Sequence, residues 1–257
     1  MNILHEIVER NRPLLAARKR EIPLAALEAG LKDAPARPGF AAAFAGPGIH
    51  VIAELKSASP SRGVIREPLA VKELAGSLAA AGAAALSVLT EPLYFHGSPE
   101  NLRLAAEAVP LPLLRKDFIV DPYQIAEAKA CGASAVLLIA ALLDKAAFAE
   151  LAAYAHALGL DVLGEVHAES EVETVAPADL IGVNARDLRD FSTSLERSAA
   201  LIATLHTEKP VIAESAVRSG DDMRRLRAAG ASGFLIGETL MRAPDPGEKL
   251  KELLSCC

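Results

Sequence analysis

Eight short apolar runs, rich in leucine and β-branched residues, recur along the chain at 49–54, 85–90, 111–116, 135–139, 161–165, 180–183, 211–214 and 233–236. Each is followed by an alanine-rich stretch with helical spacing, as at 69–81, 123–131, 145–158 and 221–229. One unit therefore takes about 20 to 35 residues, the size of a βα repeat. Gly82, Gly132 and Gly230 each stand where a helix should stop before the next strand. Parallel strands need helical crossovers, and eight of them satisfy a ring, so the pattern favours a closed (β/α)8 TIM barrel. The alternative is an open doubly wound sheet. A GxGxxG turn after the first strand would support it, but the chain there reads Lys56-Ser57-Ala58-Ser59-Pro60.

The chain has 257 residues, a length that α/β barrels use as one domain. The expected organisation is a single domain over 1–257, with an N-terminal helical extension at 1–48 and the barrel at 49–257. In the extension, Ile3, Leu4, Ile7 and Val8 form one helical stripe, Arg18-Lys19-Arg20-Glu21 is a charged stretch, and Pro35, Pro38 and Pro47 mark a turn-rich approach to the first strand. Two readings fit it: a helix that covers an open end of the core, or one whose basic residues border an active-site mouth.

Twenty-seven Lys and Arg against 33 Asp and Glu leave a net charge of −6, which repels nucleic acid and anionic membrane surfaces. An anionic ligand must then be held by a local basic site. The richest apolar stretch, 133–143, is too short to span a membrane. The start Met1-Asn2-Ile3-Leu4-His5-Glu6 lacks a secretory design. Cys131, Cys256 and Cys257 show no disulfide framework, in keeping with a reducing cytoplasm. The six histidines form no HxH, HxxxH or HExxH pattern, so no metal site is expected. His167 stands out only for lying two residues beyond Glu165.

Charge within the apolar runs is more informative. Glu54 and Lys56 lie two residues apart at the end of the first strand and so point to the same side, the interior of a barrel. The third strand ends in Lys116, the fifth in Glu165, the sixth in Asn184 with Arg186 two residues on, and the seventh in Glu214-Ser215. Buried charge is costly, so a rim that collects it is building either ion pairs or a reaction site. Any one of these residues is explained equally well as an ion pair that seals the barrel top. The whole set points to chemistry at the rim where barrel active sites lie. The segments Ser59-Pro60-Ser61-Arg62-Gly63, Glu214-Ser215-Ala216-Val217 and Ile236-Gly237-Glu238-Thr239 offer small residues at helix-starting loops, the usual place for a barrel phosphate site. Tyr94, Phe95 and Phe118 are candidate walls for a planar substrate.

In the segments Glu54-Leu55-Lys56-Ser57-Ala58-Ser59-Pro60-Ser61, Leu86-Ser87-Val88-Leu89-Thr90-Glu91, Arg115-Lys116-Asp117-Phe118-Ile119, Leu163-Gly164-Glu165-Val166-His167, Gly182-Val183-Asn184-Ala185-Arg186-Asp187-Leu188 and Ala213-Glu214-Ser215, the chain resembles the indole-3-glycerol-phosphate synthase family. The resemblance implies ring closure, decarboxylation and dehydration of 1-(2-carboxyphenylamino)-1-deoxyribulose 5-phosphate to indole-3-glycerol phosphate, in tryptophan biosynthesis. It implies Lys116 as general acid, Lys56 as anchor or second acid, and Glu165 as base. Glu54 and Glu214 would orient the lysines, and Asn184 would hydrogen-bond the substrate. Arg186 would hold an anionic group, and Phe118 would lie on the aromatic ring. Phosphate would fall to Ser59, Ser215-Ala216 and Gly237-Glu238. The chemistry requires no cofactor.

The resemblance departs at Ala216, where the family usually has Gly, and at Glu238, where many relatives carry a small hydroxyl residue. Glu238 is expected to turn its backbone amide inward and its side chain away. Ala185, where the family often has a second Asn, is expected to face outward. The expected partner is a phosphorylated small molecule, with neither nucleic acid nor membrane, and the expected state is a cytoplasmic monomer or weak homodimer. Two rivals remain. One is another phosphate-binding barrel enzyme, such as a phosphoribosyl-anthranilate isomerase, and the other is a non-catalytic barrel that binds a phosphorylated ligand.

Overall fold

Parallel pairing of all eight expected strands closes the sheet on itself. In the computed structural model, which describes residues 3–33, 37–186 and 192–256, the barrel strands are β1 (His50–Leu55), β2 (Ala85–Leu89), β3 (Leu113–Lys116), β4 (Ala135–Ile139), β5 (Asp161–Val166), β6 (Leu180–Asn184), β7 (Val211–Glu214) and β8 (Gly233–Ile236). Each pairs with its neighbours in chain order, and β1 pairs with both β2 and β8, so the sheet has no edge. The expected residues Met1, Asn2, Pro35, Asp187, Leu188 and Cys257 lie outside the described residues.

Side chains alternate between two apolar environments. Ile52, Leu114, Leu163, Leu180, Ile212 and Leu235 belong to the cluster that fills the barrel. Val51, Ala53, Leu113, Val162 and Ala213 belong to the larger cluster shared with the surrounding helices. Burial on both faces is why the strands read as near-continuous hydrophobic runs. Because the period is two, the residue two positions beyond an interior leucine or isoleucine also faces inward, and there the apolar layer ends. Glu54 follows Ile52 in this way, Lys116 follows Leu114, Glu165 follows Leu163 and Glu214 follows Ile212.

The helices α1 (Ile3–Glu21), α2 (Leu24–Gly30), α3 (Val71–Ala80), α4 (Pro99–Ala108), α5 (Pro122–Ala130), α6 (Lys145–Ala157), α7 (Leu195–Thr204), α8 (Gly220–Ala228), α9 (Glu238–Met241) and α10 (Pro246–Ser255) match the expected segments to within two residues where both are defined. Ser98, Asp121, Asp144, Ser194 and Ser219 cap their helices by accepting a backbone N–H. Gly82 and Gly132 take φ of 98° and 85°, the left-handed stop that only glycine adopts without strain. One connection departs from the expectation: 167–179 carries only a short 3-10 turn, Glu169–Glu171. Val172, Thr174, Val175 and Pro177 disfavour a helix there. The segment instead approaches β5 closely at Gly164, where an added Cβ would lie 2.7 Å from the Val175 side chain.

The N-terminal extension closes both ends of the barrel. Its 3-10 turn Ala41–Phe44 lies beneath the strand N-termini, where Phe40 and Phe44 are buried with ring centroids 5.4 Å apart and Phe44 reaches Gly233. At the other end, Ile3, Leu4 and Ile7 of α1 line the cavity at the strand C-termini. The basic stretch does not border that mouth. Arg18 pairs with Glu127 at 2.8 Å and Lys19 with Asp121 at 2.7 Å, pinning α1 to α5. Covering is therefore the outcome, and the residues that reach the mouth are apolar. If the floor and the mouth are separate, Phe44→Ala will cost about 3 kcal/mol in denaturant unfolding and leave activity at the mouth unchanged. Equal losses of stability and activity would contradict that separation.

Candidate active site

The candidate catalytic and substrate-holding residues all face one cavity of about 900 Å³ at the C-terminal mouth. At its floor the Lys116 Nζ lies 2.7 Å from Glu165 Oε2 and 3.0 Å from Glu214 Oε2. The two carboxylates come from β5, two strands away from the lysine on β3, and from β7, across the barrel from it. Beside them the Lys56 Nζ lies 2.5 Å from Glu54 Oε1. Asn184 bridges the set: its Nδ2 donates to Glu165 Oε1 at 3.1 Å, and its Oδ1 accepts from the Ser215 hydroxyl at 2.9 Å and the Arg186 backbone N–H at 3.0 Å.

Two glycines make room for this cluster. A Cβ on Gly182 of β6 would lie 2.2 Å from Glu214 Oε1, and one on Gly237 would lie 2.2 Å from Glu54 Oε1. Both glycines fall on the interior period of their strands, so only the missing side chain lets the neighbouring carboxylate lie across them.

Electrostatics separates the titrating groups. Burial works against the Lys116 ammonium, but Glu165, Glu214 and Glu54 outweigh it and hold the lysine protonated well above the ordinary range. Burial would likewise raise Glu165, yet Lys116, His167 and the Asn184 amide bring it down to about 2. Glu214 goes the other way: burial drives it up, Lys116 pulls it back, and the charge of Glu165 pushes it up again, to about 8. Near neutral pH the floor thus holds an ammonium, an ionised carboxylate and a protonated carboxyl side by side.

The rim is cationic. Arg62, Arg186, Arg218 and Arg242 line it, and Arg186 donates to the Ser61 hydroxyl at 3.0 Å. Glu238 turns its carboxylate to Arg62 at 3.2 Å and Arg242 at 3.0 Å, which neutralises a charge that would otherwise repel an anion. Ser215 and Ala216 take φ of 64° and 63°, so Ala216 keeps the left-handed backbone that a glycine would adopt freely. The Thr239 hydroxyl ties this loop to the next through Val217 O at 2.7 Å. Ala185 is buried away from the cavity lining.

One wall is aromatic. The Phe95 and Phe118 rings lie 5.8 Å apart. Tyr94 is not part of the wall, because its hydroxyl donates to Glu6 of α1 at 2.8 Å. Phe95 is held by a buried acid that the sequence reading passed over: Glu91 accepts from the backbone N–H of Leu93, Tyr94 and Phe95 and from Asn11 of α1. Arg218, Arg242 and the apolar lining Leu137 and Ile139 were also missed. The alternation within the fourth apolar run marks that pair as inward, whereas nothing in the spacing of the two arginines does so.

The sequence profile described as Indole-3-glycerol phosphate synthase matches residues 4–253. The chain is 46% identical to the indole-3-glycerol phosphate synthase of Burkholderia ambifaria (strain MC40-6) and 42% identical to that of Bacteroides thetaiotaomicron, each time over 98% of both chains. Among solved structures it resembles 3-hexulose-6-phosphate synthase (TM-score 0.63, 18% identity, 81% of this chain and 99% of that one) and the thiamine phosphate pyrophosphorylase of Pyrococcus furiosus (TM-score 0.59, 17% identity, 81% and 94%), likenesses of fold alone.

The raised Glu214 carboxyl carries a stability signature. The folded state holds its proton more tightly than the unfolded chain, so its contribution is complete below the ordinary carboxyl value of 4.5 and is lost as the pH rises through about 8. Denaturant unfolding of the wild type and Glu214→Gln across that window should show the variant gaining relative stability with rising pH. A constant difference would contradict the assignment.

Proposed function

The chain belongs to the indole-3-glycerol phosphate synthase family, and from that membership we propose that the cavity closes the indole ring of 1-(2-carboxyphenylamino)-1-deoxyribulose 5-phosphate, releasing CO2 and water to give indole-3-glycerol phosphate. The enzyme is a decarboxylating lyase of tryptophan biosynthesis. The observation that carries the reading is the Lys116 ammonium held between Glu165 and Glu214 at the floor of a cavity with an arginine-lined rim.

The reaction begins when the aromatic carbon bearing the carboxylate attacks the ketone carbon. Negative charge develops on the ketone oxygen, and Lys116 donates a proton to it. The ring nitrogen becomes cationic and accepts the electron pair released when CO2 leaves, which restores the aromatic ring. Dehydration then needs a proton delivered to the new hydroxyl and one removed from the adjacent carbon. Glu165, held ionised, is the base for the carbon-bound proton. Lys56, oriented by Glu54, anchors the substrate or serves as a second acid. Glu214 orients Lys116 across Gly182.

The substrate's remaining groups match the rest of the lining. Phe118, with Phe95 behind it, supports the anthranilate ring. Ser59 and the backbone of Ser215-Ala216 and Gly237-Glu238 receive the phosphate, and Arg186 holds a substrate anion or steadies the carboxylate network through Asn184. No helix among the described residues is long and apolar enough to cross a membrane. The enzyme is read as cytoplasmic, working as a monomer or weak homodimer without nucleic acid.

Incubation with the carboxyphenylamino-deoxyribulose phosphate should produce indole fluorescence, and Lys116→Ala should lose at least about 100-fold in kcat while still binding indole-3-glycerol phosphate. Absence of turnover by the wild type would favour a non-catalytic phosphate-binding barrel, and undiminished turnover by Lys116→Ala would remove its proposed role.

A further inference from the structure

His167, the residue that follows β5, is largely enclosed, with its ring against two carboxylates but hydrogen-bonded to neither. Its side chain is 13% exposed, and neither Nδ1 nor Nε2 has a hydrogen-bond partner among the described residues. A buried polar group left unpaired costs about 1 to 3 kcal/mol, so such a group calls for a reason. The surroundings supply one. Nε2 lies 3.3 Å from Glu165 Oε1 and Nδ1 lies 3.8 Å from Glu171 Oε2, so the imidazole sits between two carboxylates. They differ in access to solvent: the Glu165 side chain is 3% exposed and that of Glu171 is 24% exposed. Glu171 is fixed there because its Oε2 accepts the His167 backbone N–H at 2.6 Å.

The chemistry of the proposed reaction, on which this inference rests, needs such a connection. Each turnover delivers two protons to oxygen, one to the ketone and one to the departing hydroxyl, and withdraws one from carbon. CO2 leaves without a proton and its electron pair stays in the ring. One proton per turnover must therefore come from solvent, and the donor, Lys116, lies beneath bound substrate.

We propose that Glu171, His167 and Glu165 form the proton-entry path of this site, with Lys116 at its inner end. A proton taken from solvent by Glu171 passes to His167 Nδ1, and the Nε2–H proton moves on to Glu165 Oε1. Glu165 then returns it from Oε2 to Lys116 once the lysine has given its own proton away. Imidazole suits the middle position because each ring nitrogen can both accept and donate near neutral pH. His167 touches no substrate atom on this account. It recharges the groups that do.

The test is steady-state turnover of the intact enzyme in a buffer of low imidazole content, comparing wild type with His167→Gln and Glu171→Gln after circular dichroism has verified folding. His167→Gln should lower kcat about tenfold with KM changed less than about twofold, and added imidazole should restore kcat in a saturable way that wild type does not show. Glu171→Gln, at the rim, should lose less and be rescued by the same buffer. Unchanged kcat in both variants, or a loss that imidazole leaves untouched, would overturn the relay. If His167→Gln fails to fold, Glu171→Gln decides alone, because a purely structural contact would not respond to buffer. Failure of the wild type to turn over would instead remove the underlying reading.

Discussion

An ammonium cannot be buried in the mouth of an apolar barrel unless anions meet it there. Leaving such a charge unpaired costs several kcal/mol, and Lys116 lies directly above the layer of Leu114, Leu163 and Ile212. The Lys116, Glu165 and Glu214 triad resolves that cost with three side chains from three separate strands. Three charges for one cavity leave a surplus of negative charge, and the surplus is what drives Glu214 up while Glu165 stays ionised. The same balance that keeps the barrel folded sets opposed acid and base states within a few ångströms.

The rest of the architecture serves this cluster. Gly182 and Gly237 occupy interior positions where any side chain would collide with Glu214 or Glu54. Asn184 passes the geometry on to the loop after β7, where Ser215 and Ala216 accept a left-handed backbone. Helix α1 closes over the mouth with Ile3, Leu4 and Ile7 and, through Asn11, steadies the buried Glu91 that holds the Phe95 wall. The extension thus shapes the pocket with apolar surface and hydrogen bonds, while Arg18 and Lys19 fasten it to α5.

Much of this was legible in the chain itself. Period-two alternation ending in Glu54, Lys116, Glu165 and Glu214 is enough to aim those groups at one rim, because strand pairing is local and parallel closure leaves few alternatives. The connection at 167–179 departs from the general expectation of an alanine-rich helix after each strand, because Pro177 and three β-branched residues disfavour one there. The sequence left two readings of α1 open, and they are separated only in three dimensions, where Arg18 and Lys19 find partners more than 100 positions away in sequence. Glu91, Arg218 and Arg242 depend on loop conformation, which no periodicity encodes. His167 was noticed for its spacing from Glu165, but its placement between Glu165 and Glu171 is visible only in three dimensions.

The central claim is that Lys116 and Glu165 work as one unit. A double-mutant cycle in kcat with Lys116→Met and Glu165→Gln tests it most directly. The account predicts that the double variant is no more than about threefold slower than the slower single variant, since either change already disables the unit. Losses that multiply would show two independent groups and contradict it.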